Sequence, residues 1–293
     1  MMQSRAISQK IWRFFIYILI IFFAVASILP FIWALSSSLK SETETVLRPY
    51  AWIPQDFAWE NYVYIFNRAP LGLNFLNSII YVLGQVLIAI IIVPMAGYAL
   101  ARKNFPGRHA IMMLIIILMI VPRQATLVHL FILIKNFPLA GGNNILGQGG
   151  SGLVDTYTGL ILPRAAEPFA IFTMRQFFWN LPDDLESAAK IDGASEWRTY
   201  WNIFLPIAQA GISVVVIFTF GLAWNDFLWP LIVLFSKNKF PIQLGLLEFQ
   251  SDTGALWAQL MAATVVATIP MIIIFIVFQK QFFKGITLEG VSK

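Results

Sequence analysis

Apolar residues in this chain do not alternate with polar ones. They arrive in blocks of about 20, separated by short polar segments. The blocks run from Phe14 to Leu35, Asn77 to Leu100, Ala110 to Ile134, Tyr157 to Phe178, Ile207 to Phe235 and Leu256 to Phe278. Backbone groups in lipid must be satisfied within their own segment, so each block predicts a helical span. The expectation is an all-α integral membrane protein with six transmembrane helices. Pro122, beside Arg123, predicts a kink in the third span, and Pro163, Arg164, Glu167 and Pro168 interrupt the fourth.

One amphipathic stretch stands apart, from Leu181-Pro182-Asp183-Asp184 through Gly193-Ala194-Ser195 to Leu205-Pro206. Its punctuation predicts two short helices meeting at a corner. Pro182 suits a first helical turn, while Asp183, Asp184 and Glu186 put negative charge where the helix dipole is positive. Gly193 suits the left-handed residue that ends the first helix, Ser195 the cap of the second, and Pro206 its close.

Composition agrees with a membrane protein: 58% of residues are hydrophobic and 12% charged, and mean hydropathy is +0.73. The net charge of +5 therefore bears on orientation, not on nucleic acid. Basic residues mark every inner segment: Arg5, Lys10 and Arg13 before the first span, Arg102, Lys103 and Arg108 after the second, Lys190 and Arg198 between the fourth and fifth, and Lys280, Lys284 and Lys293 after the sixth. The positive-inside rule then makes both termini cytoplasmic. This divides the chain into a cytoplasmic N-terminus (1–13), a six-helix domain (14–278) carrying a cytoplasmic loop at 180–206, and a cytoplasmic tail (279–293). Ala24-Val25-Ala26 has cleavage-site shape, but the apolar run continues to Leu35, too long for a signal sequence, which favours an uncleaved anchor.

The amphipathic stretch also resembles a known family. Ala188, Ala189, Gly193, Ile203, Leu205 and Pro206 stand at the intervals of the EAA loop of permease subunits in bacterial ABC importers, and Asp192-Gly193-Ala194 matches the carbohydrate version. Ser187 stands where that loop usually has glutamate, with Glu186 one position earlier. Tyr98-Ala99-Leu100-Ala101-Arg102, Arg175-Gln176-Phe177-Phe178 and Trp224-Asn225-Asp226-Phe227-Leu228-Trp229-Pro230 are similar to the maltose-type (MalG-like) permease, although the tail ends Gly290-Val291-Ser292-Lys293.

The resemblance implies a type I ABC importer permease fold in the bacterial cytoplasmic (inner) membrane. It implies as partners a second permease subunit forming a heterodimer, two ATP-binding subunits, an external solute-binding protein and a saccharide substrate. ATP and magnesium would be bound by the partner ATPase, with no cofactor in this chain. The loop residues Glu186, Ser187, Ala188, Ala189, Asp192, Gly193, Ala194 and Arg198 would form the coupling interface. A non-sugar solute is the nearest alternative, and an ion-coupled secondary transporter is a rival without use for a docking loop.

The residues themselves suggest no enzyme. There is no Gly-Lys-Ser/Thr phosphate motif, the two histidines, His109 and His129, form no ligand cluster, and there is no cysteine. The glycine-rich segment from Asn136 to Gly152 reads as a flexible outer loop. Polar residues inside spans are costly and mark pathways. Asn225 and Asp226, flanked by the rings of Trp224, Phe227 and Trp229, suit a sugar's hydroxyl edge and apolar face. Asp226 could equally bond a neighbouring helix. Arg164 and Glu167, three apart, could neutralise one another on one helical face, or Arg164, with Arg123, could meet an acidic oligosaccharide such as alginate.

Overall fold

The structure is a computed structural model that describes residues 2–67, 70–251 and 254–290, with side chains described over 12–67, 70–250 and 256–280. Arg5, Lys10, Lys284 and the Gly290-Val291-Ser292-Lys293 ending therefore lie outside the described side chains. The helices are α1 (Met2–Ser38), α2 (Glu42–Leu47), α3 (Glu60–Asn67), α4 (Leu71–Arg102), α5 (Arg108–Ile120), α6 (Arg123–Lys135), α7 (Tyr157–Ile161) and α8 (Pro168–Trp179). After them come α9 (Asp184–Ile191), α10 (Glu196–Thr199), α11 (Leu205–Ile207), α12 (Gln209–Trp224), α13 (Leu228–Val233), α14 (Ile242–Gly245) and α15 (Trp257–Gly290).

Among the described residues, three helices, α1, α4 and α15, are long and apolar enough to cross a membrane alone. They carry the first, second and sixth blocks. The third block is not kinked but folded over: α5 and α6 meet at 113°. Val121 is forced extended by the proline after it, at ψ 122°, and Pro122 is itself extended at ψ 133°, so two successive non-helical residues turn the chain. The fourth block is broken into α7, a 3-10 turn at Leu162–Arg164, and α8, which starts on Pro168. The fifth block holds α12 and α13, separated at Asn225 to Phe227.

The chain divides into two compact units, Met1–Leu71 with Leu246–Thr268, and Gly72–Gly245 with Ile269–Lys293. In the first unit, several buried polar groups are held by specific hydrogen bonds, although Ser37 Oγ and Gln259 Oε1 are buried without a partner among the described residues. Lys40 is fully buried and donates from Nζ to the Ala51 carbonyl at 2.5 Å. The Asn61 amide donates to the Ser38 and Lys40 carbonyls at 2.9 and 2.8 Å. The Glu42 carboxylate accepts from the free amides of Trp257 and Ala258, both at 2.9 Å, and so caps the positive end of α15.

The second unit is built on a close approach of α4 to α8. A Cβ on Gly97 would lie 2.7 Å from Met174 Cβ and 2.9 Å from backbone atoms, so only glycine lets the two helices meet there. Around that contact lies a core of Ala89, Val93, Tyr98, Met174, Phe178 and Phe204. The segment after α6, expected to be flexible, is instead tied down. Asn143 donates to the Lys135 and Phe137 carbonyls and accepts from the Gly150 amide, while glycines at 141, 142, 147, 149 and 152 take the positive φ values its tight turns need. Asp155 closes it, accepting from the Phe235 and Ser236 amides and from Lys239 at 3.0 Å.

Candidate functional site

The amphipathic stretch forms an elbow. Its first arm, α9, begins at Asp184, so Pro182 precedes the helix rather than occupying its first turn. Its end is a complete Schellman motif: Gly193 is left-handed at φ 72°, its amide reaches the Lys190 carbonyl at 3.1 Å, and the Ala194 amide reaches Ala189 at 2.9 Å. The second arm, α10, is capped by Ser195, whose hydroxyl accepts from the Arg198 amide.

Pro206 does not close this arm. Having no N–H, it cannot bond the carbonyl four residues back, and the helix widens into a π segment, Tyr200–Phe204, just before it. The arm then runs to Ile207 and bends by 74° into α12. One corner thus leads into the second arm, and that arm leads into a membrane helix.

The elbow is fastened to the rest of the unit by two basic residues at the end of α4. Arg102 donates from Nε to the Phe178 carbonyl at 2.9 Å and from its terminal nitrogens to Phe178, Leu181 and Asp183. It thereby caps carbonyls left free at the end of α8. Lys103 Nζ sits 2.9 Å from Glu186 on the first arm and 2.8 Å from Glu196 on the second. Burial alone would raise the Glu186 pKa, but hydrogen bonds from Lys103 and Lys190 outweigh it and hold the carboxyl below its ordinary value. Beneath the corner, Tyr98 packs edge-on to Phe178 at 5.7 Å and against Tyr200 and Phe204, both at 5.1 Å.

Of the expected interface residues, Glu186 is half-buried in this clamp and Ala189 is 3% exposed against the core. Ser187, Ala188, Asp192, Gly193 and Arg198 are exposed, and Ala194 is half-buried. Sequence reasoning missed Ile191 and Trp197, 86% and 60% exposed on the same elbow. The signal was there: large apolar residues in a polar segment, unexplained by its inward face.

The second expected set converges only in part. Arg164, Asn225 and Asp226 line a cavity of about 390 Å³, with Arg123, Gln124 and Phe227. The expected pairing of Arg164 with Glu167 does not occur, because Pro168 interrupts the helix that would align them. Arg164 instead pairs with Asp226 at 2.5 Å, both side chains 8% exposed, and Glu167 pairs with Arg123. Tyr81 donates to the same Asp226 oxygen at 3.1 Å. The expected stacking faces of Trp224 and Trp229 are buried in packing. Trp224 lies parallel to Phe220 at 5.6 Å, and the Trp229 indole donates to the Leu160 carbonyl while Arg164 lies 5.4 Å above its ring.

Residues 94–288, which include the elbow and the cavity, match the family described as binding-protein-dependent transport system inner membrane component. The chain belongs to that family. It is a multi-pass protein of the bacterial inner membrane, a transport component that works with a solute-binding protein and an ATPase rather than an enzyme itself.

Among relatives of this permease, the arabinooligosaccharides transport system permease protein AraQ of Bacillus subtilis (strain 168) is 34% identical over 94% of this chain and 95% of its own. The diacetylchitobiose uptake system permease protein NgcG of Streptomyces coelicolor (strain ATCC BAA-471 / A3(2) / M145) is 33% identical over 95% of this chain and 89% of its own. A solved bacterial ABC transporter involved in import of the acidic polysaccharide alginate has a chain of the same fold, with a TM-score of 0.78, 23% identity, and 94% and 98% of the two chains covered.

Proposed function

We propose that this permease forms half of an alternating-access pathway for an oligosaccharide, paired with a second, different permease subunit and driven by two ATP-binding subunits. ATP and magnesium bind on those ATPases. Both termini and the elbow face the cytoplasm. The observation that carries this reading is the elbow: two capped arms, clamped at the corner by one lysine and continuous at 74° with α12. A partner that grips the exposed face of Ser187, Ala188, Ile191 and Trp197 would move both arms together, and α12 with them.

The saccharide reading draws support from the names of the two relatives, both oligosaccharide systems. It also fits a cavity whose cations are already neutralised and whose amides, Gln124 and Asn225, suit hydroxyl groups. A second reading, an acidic oligosaccharide, is favoured by Arg123 and Arg164 standing on the cavity, where a substrate carboxylate could replace Glu167 or Asp226 as partner. The test is reconstitution of the permease pair with and without its ATPases: uptake of the sugar held by the co-expressed solute-binding protein should require both ATPase and ATP. Uptake driven by an ion gradient alone would refute the reading.

A further inference from the structure

Two guanidinium groups in the second unit share one indole. Arg108, the first residue of α5, and Arg175, on α8, place Cζ 5.5 and 4.3 Å from the Trp179 ring centroid. Arg108 donates to the Lys103 and Ala101 carbonyls and to Asn104 Oδ1, and Arg175 donates to Gln176 Oε1 at 3.0 Å. Every one of these acceptors is neutral. Among the described residues neither cation has a carboxylate partner, whereas Arg102, Lys103, Arg123 and Arg164 each have at least one. Arg175 Nε is buried with no acceptor at all.

Like charges gathered around one ring without an acid repel, and an anion between them would relieve that repulsion. The neighbouring surface says which kind. Trp179 is 51% exposed, as an aromatic at a membrane interface would be, and α5 continues from Arg108 as a ladder of exposed Met113, Leu114, Ile117 and Ile120. A free phosphate ion has no use for that ladder, but an acyl chain does.

We propose that Arg108, Arg175 and Trp179 bind the phosphate of an anionic phospholipid whose acyl chains lie along α5. Basic pockets between membrane helices hold such headgroups in this way. Bound lipid would brace the junction of α5 and α8 beside the elbow.

The assembled transporter, purified in detergent, is titrated with phosphatidylglycerol and separately with phosphatidylcholine, and bound lipid is counted by native mass spectrometry. Arg108→Gln with Arg175→Gln should weaken the tightest phosphatidylglycerol site by about 30-fold and leave phosphatidylcholine binding unchanged. The double lysine variant should retain most of the affinity, and Trp179→Leu, which keeps both charges, should lose it several-fold. Size-exclusion elution identifies any variant that fails to assemble, in which case the lysine and leucine variants decide. Equal phosphatidylglycerol binding by wild type and the double glutamine variant would overturn the proposal. So would displacement of the lipid by low-millimolar inorganic phosphate, which would assign a free anion. Loss of a partner subunit from the glutamine variant with its lipid retained would assign the arginines to a protein contact and overturn it too.

Discussion

Lys103, one residue past the end of α4, donates to Glu186 on α9 at 2.9 Å across 83 residues of sequence. With its second contact to Glu196, it makes the angle between the two arms a property of α4 as well as of the corner itself. Lys103→Met should leave the protein inserted, because a partly exposed ion pair contributes only about 1 kcal/mol. Uptake per ATP hydrolysed should fall several-fold, measured as sugar accumulation and phosphate release in the same proteoliposomes.

The clamp also has a pH window. Glu186 has a folded pKa below its ordinary value of 4.5, so its contribution is present above that value and is lost as pH falls through the folded pKa. For Lys103, burial alone would lower the pKa, but bonds to Glu196, Glu186 and Tyr98 raise it above the ordinary 10.5, so its contribution is complete below 10.5 and fades only at higher pH. Protease sensitivity at the elbow should therefore be flat between pH 6 and 9 and rise below the ordinary carboxyl value. Glu186→Gln should abolish the acid response.

Gly193 sits at φ 72°, and a Cβ added there would meet nothing within 4 Å. Space is not the constraint; backbone handedness is. Gly193→Val should cost about 1–2 kcal/mol locally and uncouple hydrolysis from uptake, while Gly193→Asn, a residue that tolerates this conformation, should keep them coupled. Equal coupling in the valine variant would count against a rigid corner.

Arg164 and Asp226 form a buried pair, so removing one partner leaves a lone charge. Arg164→Ala or Asp226→Ala should destabilise the protein by about 3–5 kcal/mol, whereas replacing both with apolar residues of similar volume should be close to neutral. Thermal unfolding of the three variants distinguishes these cases. If the substrate is neutral, the double variant should still transport; if it is acidic, uptake should be lost with stability intact.

Gly97→Ala tests the packing of α4 on α8. The added methyl would lie 2.7 Å from Met174 Cβ and 2.9 Å from backbone that cannot rotate away. A loss of about 1–3 kcal/mol is expected, read as a lower unfolding temperature in detergent.

The elbow was legible because its signals are local. A left-handed glycine, a serine cap and the charge order around them need no distant partner to be read. The spans were legible as blocks but not as shapes: Pro122 announces a break, but not that Val121 and Pro122 would both be extended and turn the chain by 113°. Arg164 was misjudged for a related reason: the three-residue spacing to Glu167 matters only on an unbroken helix, and the partner it found is 62 residues away. Trp224 and Trp229 have the composition of a sugar-stacking pair, but a buried indole and an exposed one look the same in sequence. Lys103 was read only as an orienting charge, because nothing local to it announces Glu186.

Coupling through a cytoplasmic elbow is tested most directly by where that elbow can be reached, and the chain's lack of any cysteine makes the experiment clean. A single cysteine at exposed Ser187, as Ser187→Cys, is treated with a membrane-impermeant maleimide in intact cells and in inverted vesicles, and then with a short cross-linker in the assembled transporter. The account predicts labelling in inverted vesicles only, and a cross-link to the ATPase subunit whose yield changes with ATP. Labelling in intact cells, or no ATPase cross-link in any nucleotide state, would contradict it.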